Sequence, residues 1–292
     1  MAAFPPNSQP KIGDESPNAL LRLAVLLATG AIILMFFMVA AAALRALLQE
    51  GAPTPWSWSW QPYEGHFGIL PMLSGSIVLS LCALTLGWPL ALALVAFKLC
   101  EENRFFAPLA RACWRLIRFM SAVPTVVYGF AAVFLLTPFA RNLFGGSGLC
   151  LFSAAVMLIL LILPSVCLAM ETAFAPRLEK LCPFGLALGF TRLELFRYFV
   201  LPKSGKALVA AAVLGFGRAL GDTLIPLMLT GNAPMPPDGL ASSMRALTAH
   251  MAMVTANEVG GAAFNSLFLA GLILLLTNAG ASLLLRRLGR SQ

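Results

Sequence analysis

Charge is scarce in this chain: Asp, Glu, Lys and Arg make up 11% of 292 residues, and there are only two histidines and three tyrosines. Hydrophobic residues reach 59% and mean hydropathy is +0.85, which excludes an ordinary soluble domain, where about a quarter of residues are charged. No Gly-x-x-x-x-Gly-Lys-Ser/Thr phosphate loop and no nucleophile with a neighbouring base is present, so the chain does not read as an enzyme. Six cysteines (Cys82, Cys100, Cys113, Cys150, Cys167, Cys182) lack metal-ligand spacing and read as free thiols. His66 and His250 are too far apart for a metal site and read as surface residues. Alternating apolar stretches are missing as well, which excludes a transmembrane barrel.

What is present is a set of long apolar runs. Six can be drawn, at residues 20–46, 70–97, 121–140, 149–170, 207–229 and 264–285, predicting an all-α integral membrane protein with six transmembrane helices. An even number places both termini on one side. Of the 20 lysines and arginines, only Arg45, Arg141 and Arg245 fall opposite, with Arg218 inside a span, so both termini are expected in the cytoplasm. Residues 1–19 read as a cytoplasmic tail and 20–292 as one membrane domain.

Between spans two and three, residues 104–119 set Arg111, Arg115 and Arg118 on one helical face and Leu109, Cys113, Leu116 and Ile117 on the other, which suits a helix in the inner interface near lipid phosphates. Pro89 reads as a kink in span two, and Pro124 with Gly129 as soft points near the start of span three. The first outer loop carries Trp56, Trp58, Trp60 and Tyr63, an interfacial belt or a docking surface. In the last outer loop, residues 242–254 predict a short helix.

The stretch 178–232 joins a basic segment (178–206), too polar for the bilayer, to a span holding Arg218 and Asp222. Four residues apart, these two share a face if the helix is unbroken. A charge at that depth costs about 2.5–3.5 kcal/mol on insertion scales, so the pair marks either an anion path or a salt bridge fixing helix packing. Asp222 is the sole carboxylate clearly inside a predicted span, which favours a separate motor over an ion-gradient relay.

Gly189, nine residues, then Phe199-Val200-Leu201-Pro202 is similar to the second half of the coupling motif of ABC importer permeases, Glu-Ala-Ala-x-x-x-Gly-x9-Ile-x-Leu-Pro. Further stretches, Ala122-Val-Pro-Thr-Val-Val-Tyr-Gly129, Gly217-Arg-Ala-Leu-Gly-Asp-Thr223, Leu229-Thr-Gly-Asn232 and Arg245-Ala-Leu-Thr-Ala249, resemble permease subunits of the bacterial high-affinity phosphate importer, the PstC type more than the PstA type. The resemblance implies a MetI-like permease fold in the inner membrane. It implies phosphate import driven by ATP and Mg on two partner ATPase subunits, with a second permease chain and an external binding protein. Sulfate, molybdate or tungstate is the alternative cargo.

By the same resemblance Arg218 and Asp222 carry translocation, with Thr223 and Thr125 as added hydroxyl donors. Glu179, Pro183, Phe184, Gly185, Gly189, Leu201 and Pro202 carry ATPase coupling. Two departures stand out: Asp222 replaces the family's usual Glu, and Pro183-Phe184-Gly185 replaces Glu-Ala-Ala. Pro183 is expected to start a coupling helix, Gly189 to allow the turn after it, and Glu179 to supply the missing acid. A scaffold that has lost transport and an ion-coupled carrier are the rival classes.

Overall fold

The computed structural model describes residues 19–48, 56–101, 105–257 and 261–290. Its helices are α1 (Ala19–Leu48), α2 (Leu70–Cys100), α3 (Ala107–Ala122), α4 (Thr125–Phe144), α5 (Leu151–Ala187), α6 (Arg192–Leu195), α7 (Gly205–Gly221), α8 (Leu224–Leu229), α9 (Leu247–Asn257) and α10 (Gly261–Arg290). A short antiparallel hairpin, β1 (Trp60–Gln61) and β2 (His66–Phe67), precedes α2. The expected tail through Asn18, Arg104, and the side chains of Arg286 and Arg290 lie outside the described residues.

Five helices, α1, α2, α4, α5 and α10, are long and apolar enough to cross a bilayer. The bent pair of residues 192–200 and 202–221, which turns by 51° at Leu201, is the sixth candidate by length and composition, and α7 is its apolar part. α5 is the axis of the bundle: Leu158, Ile162, Cys167, Met170 and Phe174 are fully enclosed, with α2 and α7 packed along it. α1 is the opposite case. It touches the bundle through α10, burying Ala43 and Ala46, and leaves Leu26, Leu27 and Phe37 exposed.

Several sequence-based expectations change. The helix that carries the fourth span does not stop with the apolar run at residue 170; α5 continues to Ala187 with Pro164, Pro176 and Pro183 inside it. Pro183 therefore starts no helix, because the turns on both sides are already committed to α5. The fifth span is interrupted: α7 stops at Gly221, Asp222 is extended at φ −73° and ψ 136°, and α8 begins at Leu224. Arg218 and Asp222 thus do not share one continuous helix face. Gly129 has a packing role. A Cβ there would sit 2.6 Å from the Met228 sulfur, so its missing side chain lets α4 approach α8.

α3 forms as an amphipathic helix, but its buried stripe is Ala110, Trp114 and Ile117, against α5. Leu109 and Leu116 are exposed, because the bulk of Trp114 turns the helix so that the indole packs inward under Lys98. Between α1 and α2, Trp56, Trp58 and Tyr63 are exposed, whereas Trp60 turns in to meet His250 at a 4.2 Å centroid distance. His66 is exposed, but His250 is fully enclosed, contrary to its reading as a surface residue. Its Nδ1 lies 3.5 Å from Arg245 Nη1, and burial, with the Arg245 charge second, pushes the imidazole down to about 3.

Candidate functional site

Two places combine charge with unusual backbone, and α7 links them. The first is the interruption after Gly221. Arg218, in the last turn of α7, is exposed on the surface of this single chain. Asp222 is partly enclosed and acts as the joint: its Oδ2 accepts the Ile225 N–H at 2.9 Å, and its carbonyl accepts the Thr248 hydroxyl at 2.7 Å. A short polar side chain that accepts the N–H three residues on is the usual way to start a helix, here α8. The carboxylate makes no ion pair with Arg218; among the described residues the ion pair is Lys98 with Glu171.

Thr223 stands at the joint as the residue before α8, and Thr125 opens α4. One turn further along α4, the Tyr128 Oη donates to the Met120 carbonyl at 2.7 Å. Asn278 of α10 lies beside Gly217, where a Cβ would come within 3.1 Å of its Oδ1. Neither Tyr128 nor Asn278 was singled out by sequence reasoning. A polar residue in the apolar run of α10 was the available signal for Asn278.

Beyond the joint, the outer segment is tied down by hydrogen bonds of 2.7–2.9 Å. Met244 N donates to the Thr230 carbonyl, Arg245 Nε to the Asn232 carbonyl, and Leu247 N to Ser76 Oγ on α2. Asn232 adopts a left-handed φ of 57°.

The second place is the segment between α5 and α7. Gly189, at φ +87°, makes the turn that ends α5, as its identity suggested, because that backbone region favours glycine. Thr191 and Glu194 then form a reciprocal cap: Thr191 Oγ1 accepts from Glu194 N at 3.3 Å and Glu194 Oε2 accepts from Thr191 N at 2.8 Å. The Thr-x-x-Glu pattern was readable in advance and marks the start of α6. The helix continues through Phe196–Val200 with wider, π-type turns and bends at Leu201-Pro202.

Gly185 is enclosed because Leu195 lies on it, leaving no room for a Cβ. Phe196 packs edge-on against Phe174 at 5.5 Å, and Arg177 Nη1 donates to the Lys203 carbonyl at 3.1 Å and to Ser204 Oγ at 2.5 Å. The segment is thus clamped to α5 at both ends. Phe184, Leu188 and Tyr198 project from it, each more than 60% exposed. Glu179 is exposed and shares a cleft of about 460 Å3 with Lys98, Pro183 and Arg192.

A bundle with an unpaired cation at a broken span and a stiff arm carrying exposed aromatics defines a polytopic membrane transport subunit. Residues 85–291 match the family of binding-protein-dependent transport system inner membrane components, and the chain belongs to that family. It is 27% identical over 276 residues to the phosphate transport system permease protein PstC of Mesorhizobium japonicum, covering 86% of this chain and 81% of that one. It is 28% identical over 303 residues to PstC of Xylella fastidiosa, covering 91% of each. A probable ABC transporter permease of Bacillus subtilis, YqgH, is 28% identical over 80% of this chain and 75% of its own length. Among solved structures, an inward-facing MetNI methionine ABC transporter has the same fold, with a TM-score of 0.57 at 17% identity, over 80% of this chain and 99% of that one.

Proposed function

We infer that this chain is one half of the membrane path of an ATP-driven importer for inorganic phosphate. The observation that carries this is Arg218: a guanidinium at a break within a membrane span, exposed on the surface of the single chain and without a carboxylate partner among the described residues. Bare in hydrocarbon it would be costly, so a second permease chain must cover it and leave a polar path between the two halves. A planar fork of donors suits an oxyanion with several acceptors. The naming of relatives as phosphate permeases supports that cargo.

The geometry changes the role of Asp222. Its carboxylate caps α8 instead of neutralising Arg218, so the cation stays available, while the negative charge nearby keeps anion binding weak enough for release. Thr223 at the joint adds a hydroxyl donor, and Thr125 lies one turn from Tyr128 on the neighbouring helix. On the cytoplasmic side, two ATPase subunits, which bind ATP and Mg, dock on the arm around Phe184 and Glu179, with Gly185, Gly189, Leu201 and Pro202 shaping it. Both termini lie in the cytoplasm, and an external binding protein delivers the anion.

The test is labelled-phosphate uptake into vesicles holding this chain with its partner subunits, with and without ATP, and with sulfate and molybdate as competitors. ATP-dependent uptake that neither competitor reduces is the expected result. Competition by one of them would change the cargo. Arg218→Gln should abolish uptake while the assembled complex still hydrolyses ATP; unchanged uptake would remove Arg218 from the path.

A further inference from the structure

A cleft of about 520 Å3 opens between the end of α2 and the first half of α3, with Lys98, Glu101, Arg111, Trp114 and Arg115 in its walls. Arg111 and Arg115 lie one turn apart, and each Nε donates back to the carbonyl four residues earlier, at 3.3 and 3.4 Å. That bond fixes how the two guanidinium groups leave the helix, and their terminal nitrogens have no partner among the described residues. Lys98 Nζ sits 3.9 Å over the Trp114 ring and pairs with Glu171, closing the back of the cleft. Trp114 is 5% exposed, and its Nε1 is enclosed without an acceptor.

Arg111 and Arg115 have no ion-pair partner among the described residues, whereas Lys98 is paired with Glu171, and two adjacent guanidinium groups match a phosphate ester better than a single carboxylate. The setting narrows the source. Leu109, Leu116 and Phe119 of the same helix are exposed beside the basic face, so an apolar surface adjoins the cationic one, as an interfacial helix requires. A molecule carrying a phosphate and acyl chains satisfies both surfaces at once.

We propose that this cleft binds the phosphate of an anionic phospholipid headgroup, held by Arg111 and Arg115, with Lys98 behind it. Lys98 also lines the neighbouring cleft with Glu179, Pro183 and Arg192. A bound headgroup therefore adjoins the wall of the coupling arm, and the lipid is placed to tune docking there. The effect on docking rests on the role proposed above for that arm, while the lipid site itself rests on the fold and not on the identity of the cargo.

The test uses the full-length chain, in its complex, in nanodiscs of phosphatidylcholine with graded phosphatidylglycerol, followed by native mass spectrometry of retained lipid. Selective retention of phosphatidylglycerol is expected. Arg111→Gln with Arg115→Gln should weaken it about tenfold or more, and the paired lysine variants should restore most of it. Circular dichroism of each variant checks that the helices are kept. Titration with inorganic phosphate separates the sources: retention that survives it identifies the headgroup, and phosphate that binds alone and displaces the lipid overturns the lipid assignment. Equal retention by wild type and the paired glutamine variant overturns the site, whatever the uptake assay shows.

Discussion

Gly75→Ala tests how the outer segment is held against α2. A Cβ at residue 75 would lie 2.6 Å from the Arg245 carbonyl oxygen and 3.3 Å from the Met244 sulfur. Ordinary contact needs about 3.5 Å, so the backbone at 244–245 must retreat by roughly 1 Å. It has little freedom to do so, because Met244 N, Arg245 Nε, Leu247 N and Thr248 Oγ1 hold fixed partners on Thr230, Asn232, Ser76 and Asp222. Overpacking costs about 1–3 kcal/mol and an enclosed hydrogen bond lost in the retreat about 1–3 kcal/mol, while Ala gains about 1 kcal/mol over Gly within a helix. The net is a destabilisation of about 1–5 kcal/mol. Thermal unfolding of the assembled complex, with uptake measured in parallel, reads it out. Gly30→Ala on α1 is the control, since nothing lies within 4 Å of its added Cβ. If Gly75→Ala unfolds at the same temperature as Gly30→Ala, the outer segment is not pinned to α2 as described.

Two further outcomes follow. Thr191→Ala removes the hydroxyl that caps the coupling helix, so ATPase stimulation by loaded binding protein should fall several-fold in the assembled complex while basal hydrolysis is kept; unchanged stimulation would make the cap irrelevant to coupling. His250 is neutral in the folded protein down to about 3, whereas an unfolded histidine takes up its proton near pH 6.5. Above pH 6.5 both states are neutral; below it only the unfolded state gains a proton, so stability falls with pH, by up to about 1.4 kcal/mol per pH unit. Melting between pH 6.5 and 4 should therefore be steeper for wild type than for His250→Gln, and equal slopes would contradict the enclosed neutral ring.

The spans were legible because hydrocarbon leaves no choice about backbone hydrogen bonding, so apolar length alone locates α1, α2, α4, α5 and α10. Arg218 was legible for the same reason, as a charge where charge is expensive. The relation of Arg218 to Asp222 was not, because spacing assumes an unbroken helix and Asp222 spends its carboxylate on the Ile225 N–H. Pro183 misled in the opposite direction: a proline can begin a helix, but packing of Phe174, Leu178 and Gly185 carries α5 past it. His250 was read as exposed because nothing local marks a ring that Trp60, 190 positions earlier, covers. A separation of 73 residues likewise hid the pairing of Lys98 with Glu171.

α5 can also be considered as a mechanical part. Its 37 residues make a rod about 55 Å long, against about 30 Å of hydrocarbon, so nearly half of it projects beyond the bilayer toward the segment that leads to α6. Three prolines remove rungs from its hydrogen-bond ladder: Pro164 in the half that neighbouring helices surround, and Pro176 and Pro183 in the projecting half, where most side chains are exposed or half-buried. The missing rungs are thus compensated by packing at one end of the rod and left to the helix itself at the other. A load applied near Phe184 would be taken up first as flexure in the projecting half, before the enclosed half turns.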